Sequence, residues 1–553
     1  MTTLDLVALF GFLALVVVVS LRASRVERDG DDYFLAGRKL TWWLIGFSLI
    51  ASNISTEHFI GMTGNAARSG FAVASYEWLA APALVFVAWW LLPHFLRGGI
   101  TTIPQFLEQR YDRATRTILA VLMAVFFVFT VLATVLYSGA VFLSASLDLP
   151  ATFARWFELE EAAAESLAFT VGVWGIGLFA GVYTILGGLK AVVWSDLIQG
   201  AALLLGGALV TWLALARVGE GDGVLAGWSS FASSNAEALR VVRPWNDESV
   251  PSLTLVTGLW IPVMFYWGLN QFITQRTLAA GSLREGQLGI FFAAAIKLLL
   301  PFVVVIPGML AVQILGSDAI AESADAAYPA LMKELLPAGL FGLLLAAVAG
   351  SIMSTFNSGL NSAATVVTLD LWKTWVEPDL ADRRAVLVGR VTTAILAVVA
   401  CLWAPIIRRF DGVFDYIQEL WGFVSAPTCA VFFAGLLWRR TPPAAAKFAL
   451  LGGPLLYLAS RAPAWTWTRE EAAAAGGAVE LLHAYASMHF LYHMFVLFIA
   501  LSLVLHAWSR LRPLDAPREL PDRALVALEP HPLAKPLGGA VLLATAALYA
   551  LFW

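Results

Sequence analysis

Apolar runs of about 20 residues follow one another along almost the whole chain, and that repetition fixes its solvent. A bilayer core about 30 Å thick is crossed by a helix of about 20 apolar residues. The sequence is 59% hydrophobic and only 13% charged over 553 residues. A soluble domain carries roughly 25% charged residues. Barrel strands would be shorter and would alternate in polarity. The sequence therefore predicts an all-α polytopic membrane protein with about 14 transmembrane helices. They fall near 4–23, 40–64, 73–97, 115–146, 165–187, 191–217, 252–274, 287–316, 338–370, 384–408, 413–438, 443–460, 483–508 and 534–553. A net charge of −4 suggests no nucleic-acid partner. Cys401 and Cys429 lie in apolar spans and read as packing residues. The first run has no basic lead-in and no small-residue cleavage site, so it reads as a retained span rather than a signal peptide.

Basic residues give the orientation, because loops rich in Lys and Arg stay in the cytoplasm. The first loop carries Arg22, Arg25, Arg28, Arg38 and Lys39, and the third Arg97, Arg110, Arg113 and Arg116. Loops on the other side are acidic or neutral, as in "ELEEAAAE" (158–165) and "DAIAESADAA" (318–327). Arg408 and Arg409 are the exception. The expected protein sits in the cell (inner) membrane with both termini outside.

Polar residues interrupt several spans, where an unpaired polar group costs several kcal/mol and broken backbone survives only inside protein or beside a cavity. In span two, "IASNISTEHFIG" (50–61) predicts a break near Ser52–Ser55. Freed carbonyls at the end of the first half-helix suit a small hard cation. In span nine, Ser351, Ser354, Thr355 and Ser358 form one hydroxyl stripe at helical spacing, which also suits plain small-residue packing. In span seven, "FYWGLNQFITQR" (265–276) joins aromatics to Asn270, Gln271 and Gln275, with Arg276 at the expected cytoplasmic end. Glu77, Asp196 and Lys297 are single charges in apolar surroundings. Intramembrane charges default to a functional reading. Glu77 and Lys297 read as a pair or a shared polar network. Breaks in spans two and seven, five spans apart, suggest two inverted repeats of five helices, at 40–217 and 252–438. An N-terminal helix and loop (1–39) and three C-terminal helices (439–553) flank them.

The motifs "LIASNISTEHFIGMTG", "GFAVASYEW", "YTILGGLKAVVWSDLIQG", "YWGLNQFITQRTLAA", "IMSTFNSGLNSAATVVTLDLWK" and "YIQELWGFVSAP" resemble the sodium/solute symporter family. They are most similar to its sodium/glucose cotransporter branch and to bacterial sodium/galactose members. The resemblance runs from about residue 30 to 440. It implies the five-plus-five inverted repeat of the leucine-transporter type, with discontinuous helices. It also implies a sodium site from the backbone oxygens of Ala51, Ile54 and Ser351 and the hydroxyls of Ser354 and Thr355, with Asp196 on a sodium release path. For the solute it implies Asn53, Tyr76, Glu77, Lys297 and Gln418, with Tyr266 as an inner gate beside Trp267. Three positions depart from the galactose pattern: His58 stands for a glutamine, Val263 for an asparagine and Ala80 for a serine. A site built for hydroxyls discriminates strongly, so His58 in particular is a candidate selectivity residue.

The expected activity is sodium-coupled uptake of a monosaccharide, glucose- or galactose-like, by alternating access. The expected partners are the solute, Na⁺ as the coupling ion and the lipid bilayer, with no nucleic acid and no cofactor, and the oligomeric state stays open. An inositol, a sialic acid or a monocarboxylate remains open as solute, as does a transporter-like sensor. No nucleophile–base pair or metal-ligand cluster suggests an enzyme. His483, His489 and His493, expected together on one late span, read as peripheral packing.

Overall fold

Runs that are apolar on every face have no soluble alternative to a helix in lipid, where backbone polar groups must bond within the segment. The structure, a computed structural model, describes residues 1–23, 30–247, 249–317, 320, 324, 327–409 and 413–553, without the side chains of residues 31, 183, 409, 413–416, 418 and 419. Arg25, Arg28, most of the 318–327 segment and the side chain of Gln418 therefore lie outside the described residues.

Among the described residues, 12 helices are long and apolar enough to cross a membrane. The first is α1 (Thr3–Ala23). A broken span follows, made of α2 (Trp42–Asn53) and α3 (57–69), each half too short to count alone. Next come α4 (Phe71–Gly98) and α5 (Arg113–Leu147). A 58-residue helix, Glu161–Val218, changes course at Gly188, where φ 50° and ψ −153° suit only a residue without Cβ. Its two arms are α6 (161–187) and α7 (189–218). A second broken span comprises α8 (Ser252–Leu269) and α9 (Gln271–Leu278). Then follow α10 (Leu283–Leu315), α11 (Leu340–Trp375), α12 (Asp382–Arg408) and α13 (Val413–Leu437). The chain continues with α14 (Pro443–Thr466), long enough but less apolar, α15 (Phe490–Leu511) and α16 (Ala534–Leu551).

Span fourteen of the sequence reading is thus α16, and the two spans beyond the twelve are the broken α2–α3 and α14. The expected span 483–508 starts later, at Phe490. His483 sits on a separate helix, Gly477–Ala486, and His489 caps α15 by accepting from the Leu491 amide.

Burial shows which helices form the centre. In α11, 89% of the most apolar window is buried, against 28% in α1 and 22% in α16. Helix α11 packs on the α6–α7 arms and on α2 and α9, while α10 packs on α2 and α4. The broken spans therefore lie inside protein, as their exposed backbone requires.

Candidate functional site

Helix α2 ends where Ser52, Asn53 and Ser55 cluster, residues whose short side chains compete with the helical ladder. Ile54 is extended, at φ −75° and ψ 112°, although its amide still reaches the Ile50 carbonyl at 2.8 Å. The next amide, Ser55 N, turns to His58 Nδ1 at 3.4 Å instead of continuing the ladder. The Glu57 and His58 amides fold back onto Ser55 Oγ and Ser55 O, at 3.2 and 3.0 Å. Helix α11 brings its hydroxyl stripe to this break. Ser354 Oγ lies 3.3 Å from the Ala51 carbonyl, sharing with it the proton it gives to Asp196, and Thr355 Oγ1 donates to the Ser52 carbonyl at 3.1 Å. The Ser351 hydroxyl turns back on its own helix, to Val348 O at 2.8 Å.

The second break has nearly the same backbone. After a π-helical turn over Phe265–Leu269, Asn270 is extended at φ −87° and ψ 119°. Its side-chain oxygen accepts from the Phe272 amide at 3.1 Å, capping α9.

Beneath the first break lies a buried ion pair. Asp196 of α7 accepts from Ser354 (2.5 Å) through Oδ1, and from Ser48 (2.5 Å) and Ser52 (3.1 Å) through Oδ2. Arg276 Nη2 stands 3.7 Å from Asp196 Oδ2, and both side chains are 0% exposed. Arg276 also donates through Nε to Ser48 Oγ at 3.0 Å, and it bonds Ser358 Oγ and the Phe272 carbonyl. Arg276 thus does not mark a solvated cytoplasmic end, as the sequence suggested. It has a buried acid and two hydroxyls within reach, so it has no reason to snorkel.

Above the break lies a second polar system. Lys297 of α10 hydrogen-bonds both Glu77 Oε2 of α4 and Asn53 Oδ1. Its ammonium lies 5.0 Å from the centroid of Trp267. Glu77 Oε1 is 3.3 Å from His58 Nε2. Because His58 Nδ1 accepts from an amide, Nε2 carries the proton and donates to Glu77. Asn53 donates in turn to the Tyr266 hydroxyl at 3.0 Å. The result is one chain of bonds, Tyr266–Asn53–Lys297–Glu77–His58, ending at the Ser55 amide. Tyr266 packs on Trp267 and Trp421, with ring centroids 5.2 and 5.4 Å away. Tyr76 is half-buried, and its hydroxyl has no protein partner among the described residues. Val263 and Ala80 are buried and apolar. Donors and acceptors converge here, and the charges of Lys297 and Glu77 offset one another.

Residues 33–453 match the Sodium:solute symporter family. The chain belongs to that family. A sodium/glucose cotransporter of Vibrio parahaemolyticus is 40% identical over 471 residues, covering 81% of this chain and 83% of that one. The human sodium/myo-inositol cotransporter 2 is 33% identical over 485 residues, 82% of this chain and 69% of that one. The solved structure of a substrate-bound, outward-open Na⁺-coupled sialic acid symporter superposes with a TM-score of 0.74. That likeness covers 93% of this chain and 99% of that one at 19% identity, so it speaks for the fold alone. The symporter accordingly has the five-plus-five inverted-repeat fold of Na⁺-coupled transporters. It is a membrane protein that couples Na⁺ to the movement of a solute, not an enzyme.

Of the residues that the sequence reading assigned, hydrogen bonds join Ala51, Ser354 and Asp196 on one side of the break and Asn53, His58, Glu77, Lys297 and Tyr266 on the other, with Trp267 beside Lys297 and Tyr266. Tyr76 joins neither group by a hydrogen bond among the described residues, and the side chain of Gln418 lies outside them. Ser48 and Arg276 were missed as members of the Asp196 cluster. Ser48 was findable, since it precedes Ser52 by one turn on the same helix face. For Arg276 the signal was weaker: only its distance past the second break placed it at membrane depth.

Proposed function

We propose that this symporter carries a neutral polyhydroxyl solute, a monosaccharide of the glucose or galactose kind, into the cell together with Na⁺. The commitment of Lys297 to Glu77 and Asn53 carries this reading. Around the site, no side-chain cation among the described residues lacks an acidic partner, since Arg276 faces Asp196. An anionic solute would need a cation of its own. Hydroxyls, by contrast, suit Asn53, His58, Tyr76, Glu77, Lys297 and Gln418, with Tyr266 and Trp267 closing the inner side. The relative named as a sodium/glucose cotransporter supports a sugar, and the one named for myo-inositol supports a ring of hydroxyls in general.

The coupling ion in this reading sits on the oxygens of Ala51, Ile54, Ser351, Ser354 and Thr355, and leaves past Asp196. Residues 40–217 and 252–438 are the repeats that rock about it, with 1–39 and 439–553 around them and both termini outside the cell membrane. The energetics suffice. One Na⁺ falling through 100 mV releases ~2.3 kcal/mol. A tenfold gradient adds ~1.4 kcal/mol, and the sum concentrates a neutral solute roughly a few hundred-fold.

The deciding experiment is a thermal-shift screen of pyranoses, cyclitols, sialic acid and monocarboxylates on the purified protein, with and without Na⁺. The expected hit is a sugar whose stabilisation requires sodium. A hit confined to the acids would sink the reading, and a cyclitol hit would keep the chemistry but change the solute. For the ion site, Thr355→Ala should raise the Na⁺ concentration for half-maximal uptake by about tenfold, the loss of ~1.4 kcal/mol of binding. An unchanged sodium dependence would remove Thr355 from the ion.

A further inference from the structure

Residues 512–533 join α15 to α16 without a helix or strand of their own. Structureless loops longer than about 12–15 residues are uncommon in compact proteins and usually have a function or act as linkers. This one is not slack. Pro513, Pro517, Pro521, Pro530 and Pro532 keep it extended, and it is tacked to the protein along its length.

At its start, the Leu514 and Arg518 amides donate to the carbonyls of Arg440 and Arg439, just past α13, at 3.0 and 2.9 Å. The Arg518 guanidinium also donates to the Tyr111 carbonyl, just before α5. Next, the Arg523 amide donates to the Arg97 carbonyl at the end of α4, at 2.8 Å. The turn after α4 is shaped for that contact: Gly99 has φ 63°, and a Cβ there would stand 2.3 Å from the Arg523 carbonyl oxygen. At its end, the Ala527 carbonyl accepts from the Leu283 amide at 2.9 Å, and the His531 amide donates to Gln287 Oε1 at 2.8 Å, both on α10.

These anchors belong to two packed groups. Helix α13 packs on α14 and α15, and α5 packs on α13 and α14, whereas α4, α10 and α16 pack on one another. The strap crosses from one group to the other on the face assigned above to the cytoplasm. The crossing is short. Five Cα steps lead from Arg518 to Arg523, a reach of at most about 16–18 Å. While both anchors hold, the ends of α4 and α13, which lie in opposite repeats, cannot part beyond that reach. The hold is also breakable. No residue of the strap is buried, and its ion pairs Arg439–Glu519 and Arg284–Glu529 are exposed, where such pairs add little.

We propose that residues 512–533 are a latch across the cytoplasmic face, which must let go of α4 or of α13 each time that face opens. This rests on the rocking repeats proposed above.

Cysteine pairs at the two anchors test it. Arg439→Cys/Arg518→Cys and Arg97→Cys/Arg523→Cys sit where bonded backbones already lie side by side, and the native Cys401 and Cys429 are buried. In proteoliposomes, oxidising both pairs together should slow Na⁺-driven uptake of D-glucose and exchange of radiolabelled Na⁺ at least tenfold, and a reductant should restore both. Oxidising either pair alone should change them less than about twofold. Inserting about ten Gly/Ser residues after Pro521 lengthens the crossing, so the oxidised four-cysteine protein should return to within about twofold of its reduced rate. A bifunctional methanethiosulfonate replaces any disulfide that does not close. Full-rate Na⁺ exchange with both anchors closed would overturn the latch, and so would an insertion variant that stays slow when oxidised. If the wild type exchanges Na⁺ but takes up no glucose, the sugar reading falls and Na⁺ exchange alone judges the latch. If it does neither, the rocking repeats and the latch fall together.

Discussion

Lys297→Met should all but abolish solute uptake. The substitution keeps the length and apolar bulk of the side chain and removes only the charge. It strips Glu77 and Asn53 of their shared donor, in a site where Glu77 is 5% exposed. Removing one partner of a buried pair typically costs about 3–5 kcal/mol, because the other charge is left uncompensated. That cost falls on the fold; uptake is lost because the solute site proposed here also loses its shared donor. Radiolabelled uptake at sub-saturating solute reads it directly. The double variant Glu77→Gln/Lys297→Met restores neutrality, so it should recover protein yield but not uptake. A single variant that keeps more than about a tenth of the normal uptake would argue that the solute binds elsewhere.

Arg276→Met should damage the fold rather than the solute site. Its guanidinium ties α9 to Ser48 of α2, Asp196 of α7 and Ser358 of α11, so four helices meet on one buried charge. Leaving Asp196 alone there again costs about 3–5 kcal/mol. The expected readout is a sharp fall in yield and melting temperature, with the double variant Asp196→Asn/Arg276→Met recovering much of both. If the single variant melts like the wild type, the Asp196–Arg276 contact is not what holds the helices together. The contrast between the two experiments matters. Lys297 belongs to the proposed solute site, whereas Arg276 lies where the helices join.

Much of this was readable beforehand because lipid is an intolerant solvent. Apolar length alone located the spans, and the cluster Ser52–Asn53–Ser55 located the first break within a residue or two of Ile54. The Glu77–Lys297 pair was expected from the isolation of each charge in its span, and it forms. The same logic stopped short at Arg276. A charge near a span end has two solutions, solvent or a buried partner, and one sequence cannot choose between them. The turn at Gly188 was hidden for a related reason: "LGGLK" separates two runs that the eye reads as spans, but its positive φ is visible only in the fold. His58 shows a third limit. Its side chain was flagged for selectivity, yet its tautomer depends on the Ser55 amide, a backbone group freed only by the break.

The two breaks differ from gaps in one respect that bears on what the protein rejects. A half-helix that begins inside a membrane points its bare amides, with the positive end of its dipole, toward the midplane, and that is an invitation to a carboxylate. Here both invitations are withdrawn. Ser55 takes the leading amides of α3 with its own hydroxyl and carbonyl, and Asn270 takes the Phe272 amide of α9 with its side chain. The midplane therefore offers an arriving acid neither an unpaired cation nor these backbone amides. On the proposed reading of a neutral solute, exclusion of acids would rest partly on how the helices start, and would survive changes in the side chains that meet the solute.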